Sequence, residues 1–526
     1  LVIVPITHHA LRITPYSSRM TTMQPSNPQV RVGTDEWVAQ VEGRRQGRKG
    51  IGGALERGWA AIPLGVRYGV VIALIALLPW LTGLPPVLDL LNVTDNAFVV
   101  RTVASFLVAA MLAIGLNVVV GYAGLLDLGY VAFYGIAGYT YAYLSSNFVT
   151  LGGAWPEGIH LPTGISLPLI VLSTALVGWL IGFVSLRLVG DYLAIITLGF
   201  GQVFVQLLLT ATRVQLPGME RAVDLTRGPN GINNLDRLSF FGFTFSTTLH
   251  YYYLFLLLLI LIYVAVDHLN RSRLGRAWRA MREDDLAAEA MGMPTRRLKL
   301  LAFAIGAAIA ALAGVVDAAW QGNVVPNPRY SIVTLINLYG MVVLGGIGSL
   351  PGVVLGAFLF TILPEVLRNI AIAGLLFYTA GLIGLWNWLQ PWRRFLAVVG
   401  GTILVGALLK LAVVGLWPGF QPGAPPAGSW LNGLVQRWLI IPAEYTVAGK
   451  VAVVAALLLL LATLLVRGRW HALLLGLTIY TFAFAWETRL ASEPAATRII
   501  IVGATLVVLM IVRPQGLLGK QEVRVV

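Results

Sequence analysis

Apolar runs of about twenty residues follow one another along most of this chain, and each is long enough to cross the roughly 30 Å of a bilayer's hydrocarbon as a helix. They fall near 68–88, 98–118, 130–148, 167–187, 192–212, 251–268, 299–320, 332–348, 351–367, 370–390, 395–416, 446–465, 470–490 and 498–512. Helices satisfy their own backbone hydrogen bonds, so this pattern predicts an all-α polytopic membrane protein with about 14 transmembrane helices. One stretch breaks the pattern. Residues 271–299, RSRLGRAWRAMREDDLAAEAMGMPTRRLK, carry eight basic and four acidic residues between two such runs. A segment this polar cannot lie in hydrocarbon and must be a loop in water. Within it, Glu283 to Met291 is rich in Ala, Glu and Leu, which favour helix, and Gly292 followed by Pro294 stops it.

The apolar runs are themselves uneven. Gly115, Gly121, Gly124, Gly129, Gly135 and Gly138 fall within 24 residues, and Gly340, Gly345, Gly346, Gly348, Gly352 and Gly356 within 17. Tight helix packing accounts for any single glycine. Two clusters in one chain predict paired broken segments around a pathway.

Composition agrees with the pattern: 57% of the 526 residues are hydrophobic and 11% charged, whereas a soluble domain carries roughly 25% charged residues. The net charge of +14 comes from Lys and Arg beside apolar spans, where cytoplasmic loops place them, so it points to membrane lipid and not to nucleic acid. With Arg44, Arg45, Arg48 and Lys49 inside, alternation puts the 271–299 island, Arg393 with Arg394, Arg467 with Arg469, and Arg513 with Lys520 inside as well. Asp89, Asp95, the 213–250 segment and Pro418 to Pro426 fall outside; Arg368, Arg437 and Arg498 are exceptions. Both termini are thereby expected in the cytoplasm of a multi-pass inner-membrane protein. Residues 1–66 read as a polar cytoplasmic tail, with an interfacial helix around Ile51 to Ile62 and no signal-peptide pattern. The chain opens on Leu1 and its first methionines are Met20 and Met23, which leaves the start residue open.

The chemistry-bearing motifs are mostly missing. The chain has no cysteine, no GxxxxGK[ST] loop, no HExxH and no GxSxG, and its six histidines are scattered. Neither enzyme activity nor a metal or cofactor is expected, and any ATP hydrolysis must occur elsewhere.

Against that background, the run from Ser272 to Gly314 resembles the signature of the LivM-type permease family, the membrane subunits of branched-chain amino acid ABC importers. Further segments match in the same order: GLNVVVGYAGLLDLGYVAFYGIAGY (115–139), GDYLAIITLGFGQ (190–202), GPNGI (228–232), MVVLGGIGSLPGVVLGAFLFTILPEVLR (341–368) and RPQGLLG (513–519). The resemblance implies a permease subunit working with two ABC ATPase subunits, a second homologous permease and a periplasmic or extracellular solute-binding protein. It also implies that residues 283–292 form a coupling helix in a groove of the ATPase, through Arg282, Glu283, Asp285, Ala287, Ala288 and Gly292. Leu286 stands where the family's coupling loop usually opens on Glu.

Two other departures stand out. Gln202 replaces the Glu common in the family. About 130 residues separate LPEVLR from RPQGLLG, where relatives have a short connection. The chain is therefore expected to comprise the tail, a permease core over 67–368, an inserted region over 369–497 of about four helices on the periphery, and a final helix with its cytoplasmic end over 498–526. An even number of inserted spans keeps both ends on one side.

For the substrate pathway the candidates are Asn117, Asp127, Thr197 and Gln202, since a polar group in or beside a broken span is a functional candidate. Asp127, near a predicted inner end, caps a helix or meets the solute; Asn117 and Thr197 bond across helices or line the path. The solute stays open between branched-chain amino acids and urea, amides or other amino acids. A solitary ion-coupled transporter is the rival of another class. It would need intramembrane carboxylates, and the mid-span positions show almost none.

Overall fold

The structure, a computed structural model, describes residues 64–83, 96–148, 157–185, 191–215, 224–240, 242–368, 370–389, 392–416, 420–423, 430–466 and 469–492, with a few positions over 499–519. The basic tail, the 51–62 helix and most of the 498–512 span lie outside the described residues. Contacts divide the chain into two units, one ending at Ile75 and one starting at Ala76. Of the first, the described residues are the opening turns of α1 (Leu64–Leu81).

The second unit is helical, with two short two-stranded pairings at its loops. Helix α2 (Asn96–Asn117) runs into a π-helical turn, Val118–Tyr122. Then come α3 (Tyr130–Leu144), α4 (Thr163–Ser185), α5 (Asp191–Thr210) and α6 (Thr248–Arg271). The polar island forms α7 (Arg273–Glu283) and α8 (Asp285–Ala290), and α9 (Thr295–Gln321), α10 (Ile332–Gly345) and α11 (Leu350–Val366) follow. The 369–497 stretch supplies α12 (Ile370–Trp388), α13 (Trp392–Leu416), the short α14 (Trp430–Trp438), α15 (Tyr445–Leu465) and α16 (Arg469–Ser492). Thirteen of the fourteen expected spans thus coincide with a described helix.

Among the described residues, seven helices are long and apolar enough to cross a membrane. Three others are too short for a full crossing. Helices α3, α10 and α11 have 15, 14 and 17 residues, which at about 1.5 Å per residue is roughly 21–26 Å. These three flank the two glycine clusters. The broken-segment expectation therefore has a structural counterpart: the π turn and a non-helical run between α2 and α3, and a tight turn between α10 and α11.

The centre of the bundle is α9, packed on α4, α3 and α2. The most apolar window of Asn96–Tyr122 is 83% buried inside the protein, whereas that of Trp392–Val413 is 11% buried. Small residues set this difference. A side-chain carbon on Gly115 would come within 2.1 Å of the Tyr130 hydroxyl and 2.9 Å of Ile309, so only glycine lets the three helices meet there. Helix α9 ends at Gly322, whose positive φ of 68° and N–H to Ala318 O close the last turn. At that end β1 (Ile232–Asn233) pairs antiparallel with β4 (Asn323–Val324), while β2 (Ser239–Phe240) and β3 (Phe243–Thr244) form a hairpin.

In the inserted region, α15 and α16 pack on each other and α16 also meets α13 and α14. Leu367, at the end of α11, is buried with Ala373 and Trp486, so the region joins the core at the end of α11.

Candidate functional site

The run from Ala123 to Gly129 leaves the π turn as non-helical chain that leads to α3. Its backbone is held by side chains from well inside neighbouring helices: the Leu128 N–H donates to Thr197 Oγ1 on α5 at 2.9 Å, and the Tyr339 hydroxyl on α10 donates to Asp127 O at 2.7 Å. Non-helical backbone at this depth survives only where protein or a cavity satisfies it. Asp127 lies in this non-helical run, between the π turn and α3. Its Oδ1 accepts the Gly129 N–H at 2.9 Å, just before α3 begins. Its other oxygen, Oδ2, is buried, and no described residue donates to it.

Two of the four pathway candidates, Asp127 and Thr197, adjoin here, and a third, Asn117, stands at the other end of the break. Asn117, fully buried at the start of the π turn, accepts the Gly348 N–H on Oδ1 at 2.9 Å, while its Nδ2 has no described acceptor. Thr197 is also fully buried, and its hydroxyl donates back to Leu193 O and Ala194 O. Gln202 stands apart, on the exposed face of α5 with Val203 and Leu207.

The described carboxylates stand in loops or near helix ends, so the mid-span positions hold almost none, as the sequence indicates. Besides Asp127, the structure buries Asp317 and Glu487. Asp317, on α9, accepts the Tyr134 hydroxyl and lies 3.6 Å from Arg329 Nε. Arg329 also donates to Asn323 O at 3.0 Å, and Tyr330 packs edge-on against Tyr134 at 5.0 Å. The Tyr330 ring fills the groove left by Gly135 and Gly138. The signal was present as a lone aspartate in the 299–320 run, but its cation follows in a loop and its tyrosine lies 183 residues away. Glu487 accepts from Tyr378, Asn432 and Gln436 at 2.6, 2.9 and 2.7 Å.

At the end of α6 the polar island is a built corner. Ser272 caps α7 by accepting the Leu274 and Gly275 N–H groups, and α7 buries Gly275, Trp278 and Met281. The expected single helix over 283–292 is shorter than the sequence indicated. Asp284 is extended, at φ −155° and ψ 108°, and accepts the Ala287 N–H at 2.9 Å, so Glu283 ends α7 and α8 starts at Asp285. Two ties fix the corner to α9: Trp278 Nε1 donates to Leu298 O at 2.9 Å, and Lys299 pairs with Asp285 at 2.5 Å.

Ala288 is buried, Ala287 and Gly292 are exposed, and Gly292 has a positive φ of 81°. Arg282 reaches inward and donates to Gly121 O at 2.6 Å. The sequence reading missed the apolar crest of this corner, where Leu286 and Met291 are 79% and 82% exposed. Leu286 had registered only as a departure from a family pattern. Both are large apolar side chains on an otherwise polar loop.

At the opposite end, where α9 runs out into β4, His160 Nδ1 and Asp236 Oδ2 lie 2.6 Å apart. The Asp236 hydrogen bond, followed by one to Glu157 O, raises the His160 pKa above its ordinary value.

The family model for the permease component of branched-chain amino acid transport systems matches residues 98–384. The chain is 38% identical over 283 residues to the high-affinity branched-chain amino acid transport system permease protein LivM of Escherichia coli K12, over 49% of this chain and 61% of that protein. It is 42% identical over 91 residues to the corresponding LivH permease of the same strain, 17% of this chain and 29% of that one. A probable LivM permease of Methanocaldococcus jannaschii is 28% identical over 208 residues, 39% and 56% of the two chains. The chain thus spans less than two thirds of the length of the LivM relatives it matches. No solved structure matches it.

Proposed function

The chain belongs to the family of permease components of branched-chain amino acid transport systems, and from that premise we propose that it is the membrane subunit of an ATP-driven importer of branched-chain or related amino acids. The solute passes along the broken segment, beside Asn117 at one end and Asp127 and Thr197 at the other. A solute-binding protein delivers it at the end bearing His160 and Asp236. Of the two ATPase subunits one docks on the island at the other end, and a second homologous permease completes the membrane part. Both termini lie on the island side, in the cytoplasm.

The observation that carries this reading is the island. Its α8 presents Leu286 and Met291 to water while Trp278, Asp285 and Lys299 lock it to α9. A movement imposed on it is thereby handed to a helix at the bundle's centre. The sequence holds no nucleotide-binding loop of its own, so an external ATPase supplies the energy.

The test is uptake of labelled leucine, isoleucine or valine into vesicles holding the permeases and binding protein, with and without the ATPases. Uptake is expected only with ATPases and ATP inside the island face. Uptake driven by an ion gradient in their absence would instead establish a solitary secondary transporter.

A further inference from the structure

Arg282 belongs to the island by sequence but to the broken segment by contact. The π turn at the end of α2 uses wide bonds, Ala123 N to Val118 O at 3.2 Å and Leu125 N to Val119 O at 3.1 Å. Helix ends leave carbonyls in need of donors, and the helix dipole favours a cation there. At Gly121 that donor is the Arg282 guanidinium, at 2.6 Å.

The arginine threads between glycines of both clusters. A side-chain carbon on Gly124 would lie 2.8 Å from Arg282 Cγ, and one on Gly348 would lie 2.9 Å from its Nη1. Both glycines have positive φ, 71° and 83°, so another residue there would be strained as well as crowded. Gly348 in turn donates to Asn117, at the start of the same π turn. A cavity of about 120 Å³ adjoins the site, lined by Gly121, Arg279, Arg282, Glu283, Gly348 and Ser349 among others, which leaves the guanidinium room to withdraw.

We propose that Arg282 is a positioning residue: a latch by which the island holds the break between α2 and α3 in place. The inference rests on the ATPase docking proposed above. Arg282 lies three residues before the start of α8, and the Asp284 cap joins α7 to α8 in a stiff corner. Displacing that corner draws the guanidinium from Gly121 into the cavity. The non-helical run with Asp127 is then free to shift, and the substrate path changes without any contact between partner and path.

Two measurements on the full chain test this, using Arg282→Met, which keeps the stem against Gly124 and removes the donor, and Arg282→Lys, which keeps a cation. The first is amide hydrogen exchange of residues 121–125 in the reconstituted permease without partners. Exchange in Arg282→Met is expected to be about tenfold faster or more, since a capped helix end opens less readily, with Arg282→Lys between it and the parent. Unchanged exchange overturns the latch whatever the partners are.

The second is solute taken up per ATP hydrolysed in the complete importer, expected to fall about fivefold or more in Arg282→Met. Faster exchange with an unchanged ratio overturns the coupling role. If the parent shows no ATPase-dependent uptake, the proposed function and the coupling role fail together, while the exchange measurement still decides whether Arg282 holds the break.

Discussion

Asp127 shows how one residue holds two roles apart. Its Oδ1 is committed to the Gly129 N–H, which is a capping role, while Oδ2 is buried with no described donor. Asp127→Asn keeps the capping oxygen, so thermal unfolding in detergent should stay near the parent's; Asp127→Ala removes it and should cost about 1 kcal/mol. Uptake by Asp127→Asn is nonetheless expected to drop about tenfold or more if the proposed path runs past the second, unpartnered oxygen. Normal uptake in that variant would assign Asp127 to capping alone. His160 makes a separate prediction with a definite sign. Its folded pKa is raised by Asp236, so the pair's stabilisation is fully present below the unfolded value of about 6.5. It is lost as pH rises through the folded value. Melting temperatures measured across that window should fall with rising pH in the parent, and this component should vanish in His160→Gln.

At the scale of elements, the island corner and the three short helices make opposite use of polarity. Helix α8 has six residues, too few to be stable alone, and holds its shape through the Asp284 cap and the Lys299 pair. Its exposed Leu286 and Met291 do nothing for the fold. Replacing both with Asp should therefore leave the melting temperature nearly unchanged while weakening ATPase capture by about tenfold or more, the usual effect of losing an apolar anchor. Co-purification of the ATPases with the permease reads this directly; equal recovery from parent and double variant would remove α8 as the docking element. Sequence alone located this element but misjudged its boundary, since the extended Asp284 is a backbone event in a run of residues that all tolerate helix. The short helices were legible as glycine clusters. Which neighbours entered the gaps was not, because Tyr330 and Arg282 come from other parts of the chain.

For the molecule as a whole, the inserted helices and the central bundle rest on different devices. The centre is built by small residues and close backbone approach, as at Gly115; the insertion has a buried carboxylate, Glu487, shared by three donors from α12 and α14. Glu487→Leu removes the acceptor common to Tyr378, Asn432 and Gln436, and leaving buried donors short of a partner costs about 1–3 kcal/mol each. Limited proteolysis of that variant should open new cuts within 369–497 while residues 98–368 stay intact. Cuts spread equally through both would mean that the insertion and the core form one cooperative unit.

The order of spans, the placing of a polar island between two of them and the family resemblance were all readable in one dimension. Hydropathy and helix-stop residues act over a few neighbours, and a bilayer allows few alternatives to a helix. The grouping of side chains was decided only in three dimensions. Asn117 meets Gly348 across 231 residues, Arg282 meets Gly121 across 161 and Tyr134 meets Asp317 across 183. These contacts depend on which helix surfaces fit together, a matter of packing and glycine-sized gaps that no local pattern encodes.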